Sequence, residues 1–251
     1  MDTPSDARGR RLDELLVSRG LFATRSRARD AILRGAVRID GVVARKAGQP
    51  VAEAAAIAVA DPAGRYVSRA ALKLIHGLDA FGFDPVGRVC LDIGASTGGF
   101  TQVLLERGAG AVFALDVGHG QLAPELAADP RVTSLEGVNA RALHPSLGSH
   151  EPGMVVCDVS FISVRLALPP ALALAVAGAM AVILVKPQFE VGRKGIGKGG
   201  IVEPALAQAA AHDLRDWLAG QPGWRPVGLV PSPIAGGDGN VEFLLGGVKD
   251  A

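Results

Sequence analysis

The apolar positions of this chain change period along its length, and the changes divide it. In Arg11-Leu12-Asp13-Glu14-Leu15-Leu16-Val17 they recur three and four apart, which predicts a short amphipathic helix ending near Gly20. A second helix follows, capped by Thr24, with Ala28, Ile32 and Leu33 turned inward and Arg25, Arg27, Arg29 and Arg34 spread over the exposed surface. From Gly35 to Val43 the residues alternate about Asp40-Gly41, the mark of a hairpin. The stretch Asp61-Pro62-Ala63-Gly64 is the expected boundary between a small α+β domain at 1–61 and a larger domain at 62–251.

The larger part reads as α/β. Candidate strands cover 89–92, 112–116, 132–135, 154–158, 181–186, 227–230 and 241–245, with room for helices between them. Three of the first four end in Asp or run straight into one, as strand ends do where a doubly wound parallel sheet lines a ligand crevice. The last two, joined by the turn-rich segment 232–239, are expected to pair antiparallel. Leu166 to Val185 is twenty residues without a charge, long enough to suggest a membrane span. Pro169-Pro170 favours another reading, a helix that starts at the prolines and breaks near Gly178, followed by a buried strand from Ala181.

Length and composition support a folded chain of one large domain and a small one. The 251 residues are 49% hydrophobic, enough to fill a core, and 33 glycines against eight Phe, two Trp and one Tyr suit many tight turns. Cys90 and Cys157 lie in apolar runs with no metal-ligand spacing, which fits a reduced cytoplasm and no metal. The first residues, MDTPSDARGR, lack the apolar centre of a secretory signal. The net charge of +1 hides an asymmetry: residues 1–60 carry 11 Lys and Arg against 7 Asp and Glu, and the remainder 15 against 18. Phosphate contacts are therefore expected at the N-terminal end.

The first chemical motif is Asp92-Ile93-Gly94-Ala95-Ser96-Thr97-Gly98-Gly99-Phe100, a strand end running through a glycine turn into a helix. Its glycines let backbone approach a ligand. The spacing is not that of a dinucleotide fingerprint, and no phosphate-binding Lys-Ser/Thr follows. S-adenosyl-L-methionine, with an amino acid tail and no phosphate, suits such a turn and Asp92 better. Asp116, with Val117 after it, ends the next strand, where a carboxylate can accept from a ribose diol. Asn139 is a further cofactor-side candidate. The second constellation is Lys73, Asp158, Lys186 and Glu242; Asp158 and Lys186 end very apolar strands, and Glu242 interrupts one, where a charge needs a partner.

Two resemblances follow from these residues. RLDELLVSRG, TRSRARDAILRGAVRIDG and Arg45-Lys46 resemble the RNA-binding fold of ribosomal protein S-four, over roughly residues 10–60. That resemblance implies an RNA partner met by Arg11, Arg25, Arg27, Arg29, Arg34, Arg38, Arg45 and Lys46. Tyr66-Val67-Ser68-Arg69 with Lys73-Leu74, the glycine turn, Asp158-Val159-Ser160-Phe161-Ile162-Ser163, Leu184-Val185-Lys186-Pro187-Gln188-Phe189-Glu190 and Val241-Glu242-Phe243 together resemble the TlyA family over essentially the full chain. The family implies a Rossmann-like, seven-stranded, FtsJ-like methyltransferase that uses S-adenosylmethionine to methylate ribose 2′-oxygens of ribosomal RNA. Its Lys-Asp-Lys-Glu tetrad maps onto Lys73, Asp158, Lys186 and Glu242, with Lys186 as base, Lys73 as the second cation that eases its deprotonation, and the two acids orienting the lysines.

Ala70-Ala71 departs from the Gly-Gly or Gly-Ala pair frequent in the family and firms the helix that carries Lys73. Arg193, Lys194 and Lys198, close in sequence to Lys186, and Arg69 are further candidates for RNA phosphates. Three other readings are weaker. A membrane-active hemolysin needs an inserting segment, and a non-catalytic RNA binder has no use for the tetrad. An amino-group methyltransferase shows Asn/Asp-Pro-Pro-aromatic where this chain has Asp158-Val159-Ser160-Phe161.

Overall fold

The local signals at the N-terminal end govern what forms there. In the computed structural model, which describes residues 9–143 and 150–250, the chain divides into two units, Met1–Arg65 and Tyr66–Ala251. The expectation about a secretory signal falls on residues 1–8, outside the described residues. The first unit runs β1 (Arg10–Arg11), α1 (Leu12–Ser18), α2 (Arg25–Leu33), β2 (Val37–Ile39), β3 (Val42–Val43), β4 (Pro50–Val51) and β5 (Ile57–Val59). Strands β3, β2 and β5 form one small sheet, and β1 pairs with β4. Thr24 caps α2 by accepting from the Arg27 amide, and Asp40 and Gly41 both take positive φ (48° and 82°), as a tight hairpin turn requires.

Two expectations for α2 fail. Leu33 is 59% exposed, because the buried stripe runs Ala28, Ala31, Ile32 and residue 33 lies one step of about 100° past it. Arg34 is not spread over the surface: only 15% of its side chain is exposed, and it pairs with Asp30 and, at 2.8 Å, with Asp61. Arg25 remains exposed but is engaged by Glu14 at 3.1 Å and Asp13 at 3.3 Å, while Arg11 reaches Asp13 at 3.0 Å. The Arg25 pairs tie α1 to α2.

The second unit runs α3 (Ala71–Phe81), β6 (Val89–Ile93), α4 (Gly99–Glu106), β7 (Ala111–Asp116), α5 (Pro124–Ala127), β8 (Val132–Glu136), β9 (Met154–Cys157), α6 (Val164–Ala167), α7 (Pro169–Leu174), β10 (Met180–Val185), α8 (Pro187–Glu190), α9 (Pro204–Ala219), β11 (Trp224–Pro231) and β12 (Phe243–Lys249). All seven strands join one sheet, ordered β11-β12-β10-β9-β6-β7-β8. Among the described residues only β12 opposes the common direction, pairing antiparallel with both β10 and β11. Strands β9 and β10 are buried along their whole length, which explains their unbroken apolar sequence: helices cover both faces of the sheet. Cys90 and Cys157 are buried free thiols, and burial pushes both up to about 12.

The uncharged run from Leu166 resolves into the end of α6, then α7 and β10. Helix α7 stops at Leu174, four residues before the expected break at Gly178, and the Lys249 amine donates to the carbonyls of Leu172, Ala173 and Ala175 that the stop leaves open. Among the described residues no helix is long and apolar enough to cross a membrane. Glu242 also differs from expectation: it stands immediately before β12 rather than within a strand, its carbonyl accepting from the Ser232 amide.

Candidate active site

The sheet order places β6 at the point where the chain turns from one side to the other: β7 and β8 lie to one side, β9, β10, β12 and β11 to the other. In open α/β sheets this is where the carboxyl ends of strands part to form a crevice. Asp92 belongs to β6, Asp116 ends β7 and Asp158 follows β9.

The glycine turn is shaped by protein packing. Gly94 has φ +83°, and a Cβ there would lie 2.6 Å from the Asp158 carbonyl oxygen. Gly98, at φ +98°, would drive a Cβ into Leu126 and Leu122, and a Cβ on Gly99 would sit 2.8 Å from Ser68 Cβ. The missing side chains of these glycines face other parts of the chain, so the turn needs glycine for its own packing as well as for any backbone approach to a ligand. Ala95 and Phe100 are buried, the ring of Phe100 in the core. Ser96 is exposed with φ +48°, and its amide donates to Asp116 Oδ2 at 2.9 Å. Asp116 Oδ1 accepts from Gly118 N, and Val117 beside it is 67% exposed. Asn139 Oδ1 accepts from the Arg141 amide, so it shapes its own turn.

Asp92 is fully buried. Its Oδ2 accepts from Thr101 Oγ1 at 2.7 Å, and its Oδ1 has no partner. Burial, with Asp158 and Asp116 nearby, raises its carboxyl to about 7 against the Thr101 hydrogen bond. A positively charged donor answers both the orphaned oxygen and the surrounding carboxylates, and the amino group of S-adenosylmethionine is such a donor. A turn of backbone amides, an acceptor at Asp116 and the apolar Val117 complete a set that fits this molecule.

Sequence reading missed Glu136, at the end of β8. It accepts from the amides of Gly120, Gln121 and Leu122, which hold its carboxyl below the usual range and fix the loop after β7. Only its position at a strand end, like Asp116, hinted at this.

The four tetrad candidates meet at the same end of the sheet as two pairs. Lys73, on the first turn of α3, bonds Glu242, and both side chains are buried. Lys186 lies 2.7 Å from Asp158 Oδ1, an ion pair whose angles miss those of a hydrogen bond, and donates to Ser160 Oγ at 2.8 Å. Register brings the pairs together: Val185 of β10 opposes Phe243 of β12, so the next positions outward, Lys186 and Glu242, face each other. Gly236 leaves the space that Glu242 fills, since a Cβ there would lie 2.8 Å from its Oε1.

The basic candidates separate by exposure. Arg193, Lys194 and Lys198 are exposed; Lys198 lies on a segment closed by the Ile196–Val202 bridge, which the buried Asn240 anchors through Val202 N and Gly200 O. Arg69 is half-buried. In the N-terminal unit Arg27, Arg29, Arg45 and Lys46 are exposed, and Arg38 is exposed while donating to the Gly41 carbonyl.

The chain matches the model of the FtsJ-like methyltransferases over residues 66–249 and that of the S4 domain over 10–57. It is 47% identical over 240 residues to the 16S/23S rRNA (cytidine-2′-O)-methyltransferase TlyA of Mycobacterium tuberculosis, covering 95% of this chain and 90% of that one. It is 39% identical to Hemolysin A of Brachyspira hyodysenteriae, covering 93% and 98%. A solved structure from Streptococcus thermophilus, also carrying a hemolysin name, superposes with a TM-score of 0.74 at 38% identity and covers 98% of this chain and 90% of its own.

Proposed function

Since the chain belongs to the TlyA family, an FtsJ-like methyltransferase domain behind an S4 domain, we propose that it methylates a ribose 2′-hydroxyl of ribosomal RNA with Lys186 as the base. The observation that carries the reading is the gathering of two lysines and two carboxylates at the carboxyl ends of β9 and β10 and the start of β12, beside the turn that fits the cofactor.

A ribose hydroxyl is a weak nucleophile at neutral pH and must lose its proton as it attacks. S-adenosylmethionine supplies the electrophile, a methyl group on a positively charged sulfur. Lys186 takes the proton from the hydroxyl; Asp158 and Ser160 hold its amine in one direction, and Glu242 fixes Lys73 beside it. Asp92 receives the cofactor's ammonium group and Asp116 its ribose hydroxyls, with Val117 and Asn139 on the adenine side. What remains is in-line alignment, which positioned groups supply. Arg27, Arg29, Arg38, Arg45 and Lys46, with Arg193, Lys194 and Lys198, meet the RNA backbone, where phosphate contacts set register without reading sequence. A stacked ribose is hard to reach, so the target nucleotide is turned out of its helix. The cytoplasm, where ribosomes are, is its place of action.

The test is transfer of labelled methyl from S-adenosylmethionine to unmodified small and large ribosomal subunits by wild type and Lys186→Ala, with the nucleoside identified by mass spectrometry. A 2′-O-methylnucleoside that is lost in the variant is expected, and the subunit that carries it identifies the substrate. A methylated base, or no incorporation by folded, cofactor-bound protein, overturns the reading. The hemolysin name of two relatives is tested separately, by partition of the purified chain into liposomes.

A further inference from the structure

Two loops carry the Lys186 pair, one after β9 (residues 158–164) and one after β10 (residues 186–190). They are joined at three successive points. Lys186 meets Asp158 and Ser160; Phe189 packs on Phe161 with ring centroids 5.3 Å apart; Glu190 accepts from Ser163 Oγ at 2.6 Å and from Val164 N at 2.8 Å. Lys186 and Glu190 stand at the two ends of one short helical turn, begun by the buried Pro187. That single turn therefore grips the first loop at both ends. The gripped loop is strained: Phe161, a non-glycine residue, is held at φ +65°, a conformation that persists only when its surroundings impose it. Glu190 is also costly to bury, and burial raises its carboxyl above the ordinary range, against the two hydrogen bonds and Arg165 that lower it.

We infer that Glu190 is a positioning residue for Lys186: by fastening the 158–164 loop it keeps Ser160 Oγ where it receives one hydrogen of the lysine amine. Ser160 and Asp158 then leave the amine one free direction, toward the substrate hydroxyl. The inference rests on the proposed role of Lys186 as base, yet the grip itself is measurable without turnover.

The experiment uses the full chain and a short pulse of acetic anhydride, with Lys186 acetylation read by peptide mass spectrometry against the exposed Lys198 as internal standard. Glu190→Ala and Ser160→Ala are expected to acetylate at Lys186 at least threefold faster than wild type. Glu190→Gln, whose amide can accept from Val164 N–H and donate to Ser163 Oγ, should label as wild type does. In methyl transfer the two alanine variants should lose kcat by tenfold or more while KM for S-adenosylmethionine stays within twofold. Wild-type labelling and kcat in Glu190→Ala overturn the inference, and so does a Glu190→Gln variant as impaired as the alanine one. If Glu190→Ala fails to fold, Ser160→Ala decides, because Ser160 is exposed and tolerates truncation. If wild type transfers no methyl to ribosomal RNA, the proposed function falls and the labelling pattern alone decides the inference.

Discussion

The two lysine–carboxylate pairs share chemistry and differ in setting. Lys73 and Glu242 expose 6% and 2% of their side chains, and each is held by a segment packed around it. Lys186 and Asp158 expose 12% and 16% and stand on adjacent strand ends, and Lys186 also donates to the exposed Ser160. A buried pair is costly to desolvate and very costly to break, whereas a pair at a rim keeps access to water and substrate. On the proposed mechanism the inner pair holds the scaffold and the outer pair does the chemistry.

Lys186→Ala tests that division most severely. Methyl transfer should fall by at least about 10³-fold, within the range of a lost general base, while the urea midpoint moves little. Lys73→Ala should do the opposite in kind, leaving Glu242 buried without its partner at a cost of about 3–5 kcal/mol in urea unfolding. Equal losses of stability in both variants would break the comparison.

Asp92 extends it to a buried carboxylate with no lysine at all. Its carboxyl sits near 7 in the fold, above the ordinary carboxylate range, so the folded chain holds a proton that the unfolded chain has released. Stability from this group is therefore greatest near pH 4 and falls as pH rises to about 7. Asp92→Asn removes that slope: relative to wild type it should gain up to about 4 kcal/mol at pH 8 and little at pH 4–5, read from urea unfolding across pH. Cofactor affinity, measured by calorimetry, should weaken in the same variant.

The smallest effects belong to the N-terminal unit, where the contrast recurs. Arg34→Ala removes the partner of Asp61 and should destabilise by about 1–2 kcal/mol. Arg45→Ala should leave stability alone and weaken RNA binding by about 1 kcal/mol or less, with a shallower salt dependence.

What the sequence made legible was local. The Thr24 cap, the Asp40-Gly41 turn and the carboxylates at or next to the ends of β6, β7 and β9 depend on neighbours in the chain, and period or residue type reveals them. Contacts between distant segments had no such signal. Arg34 finds Asp61 27 residues away, Ser163 meets Glu190 across 27, and Lys186 meets Ser160 across 26. Nothing near Gly94, Gly98 or Gly99 showed that side chains there would collide with Asp158, Leu126 and Ser68. The insertion of β12 between β10 and β11 was equally hidden, since antiparallel pairing of the last two strands leaves open which of them sits at the edge.

The approach of Gly94 to the Asp158 carbonyl also bears on how this site could be inhibited and how resistance could arise. A side chain at position 94 would need an unfavourable φ and would press on the backbone that carries the partner of Lys186. A compound seated against this turn would meet backbone that a side chain at position 94 reshapes only by pressing on Asp158. Escape would be confined to the exposed rim, at Ser96, Thr97 and Val117, and an inhibitor that draws its affinity from the backbone rather than from those three side chains would leave the chain little room to evade it.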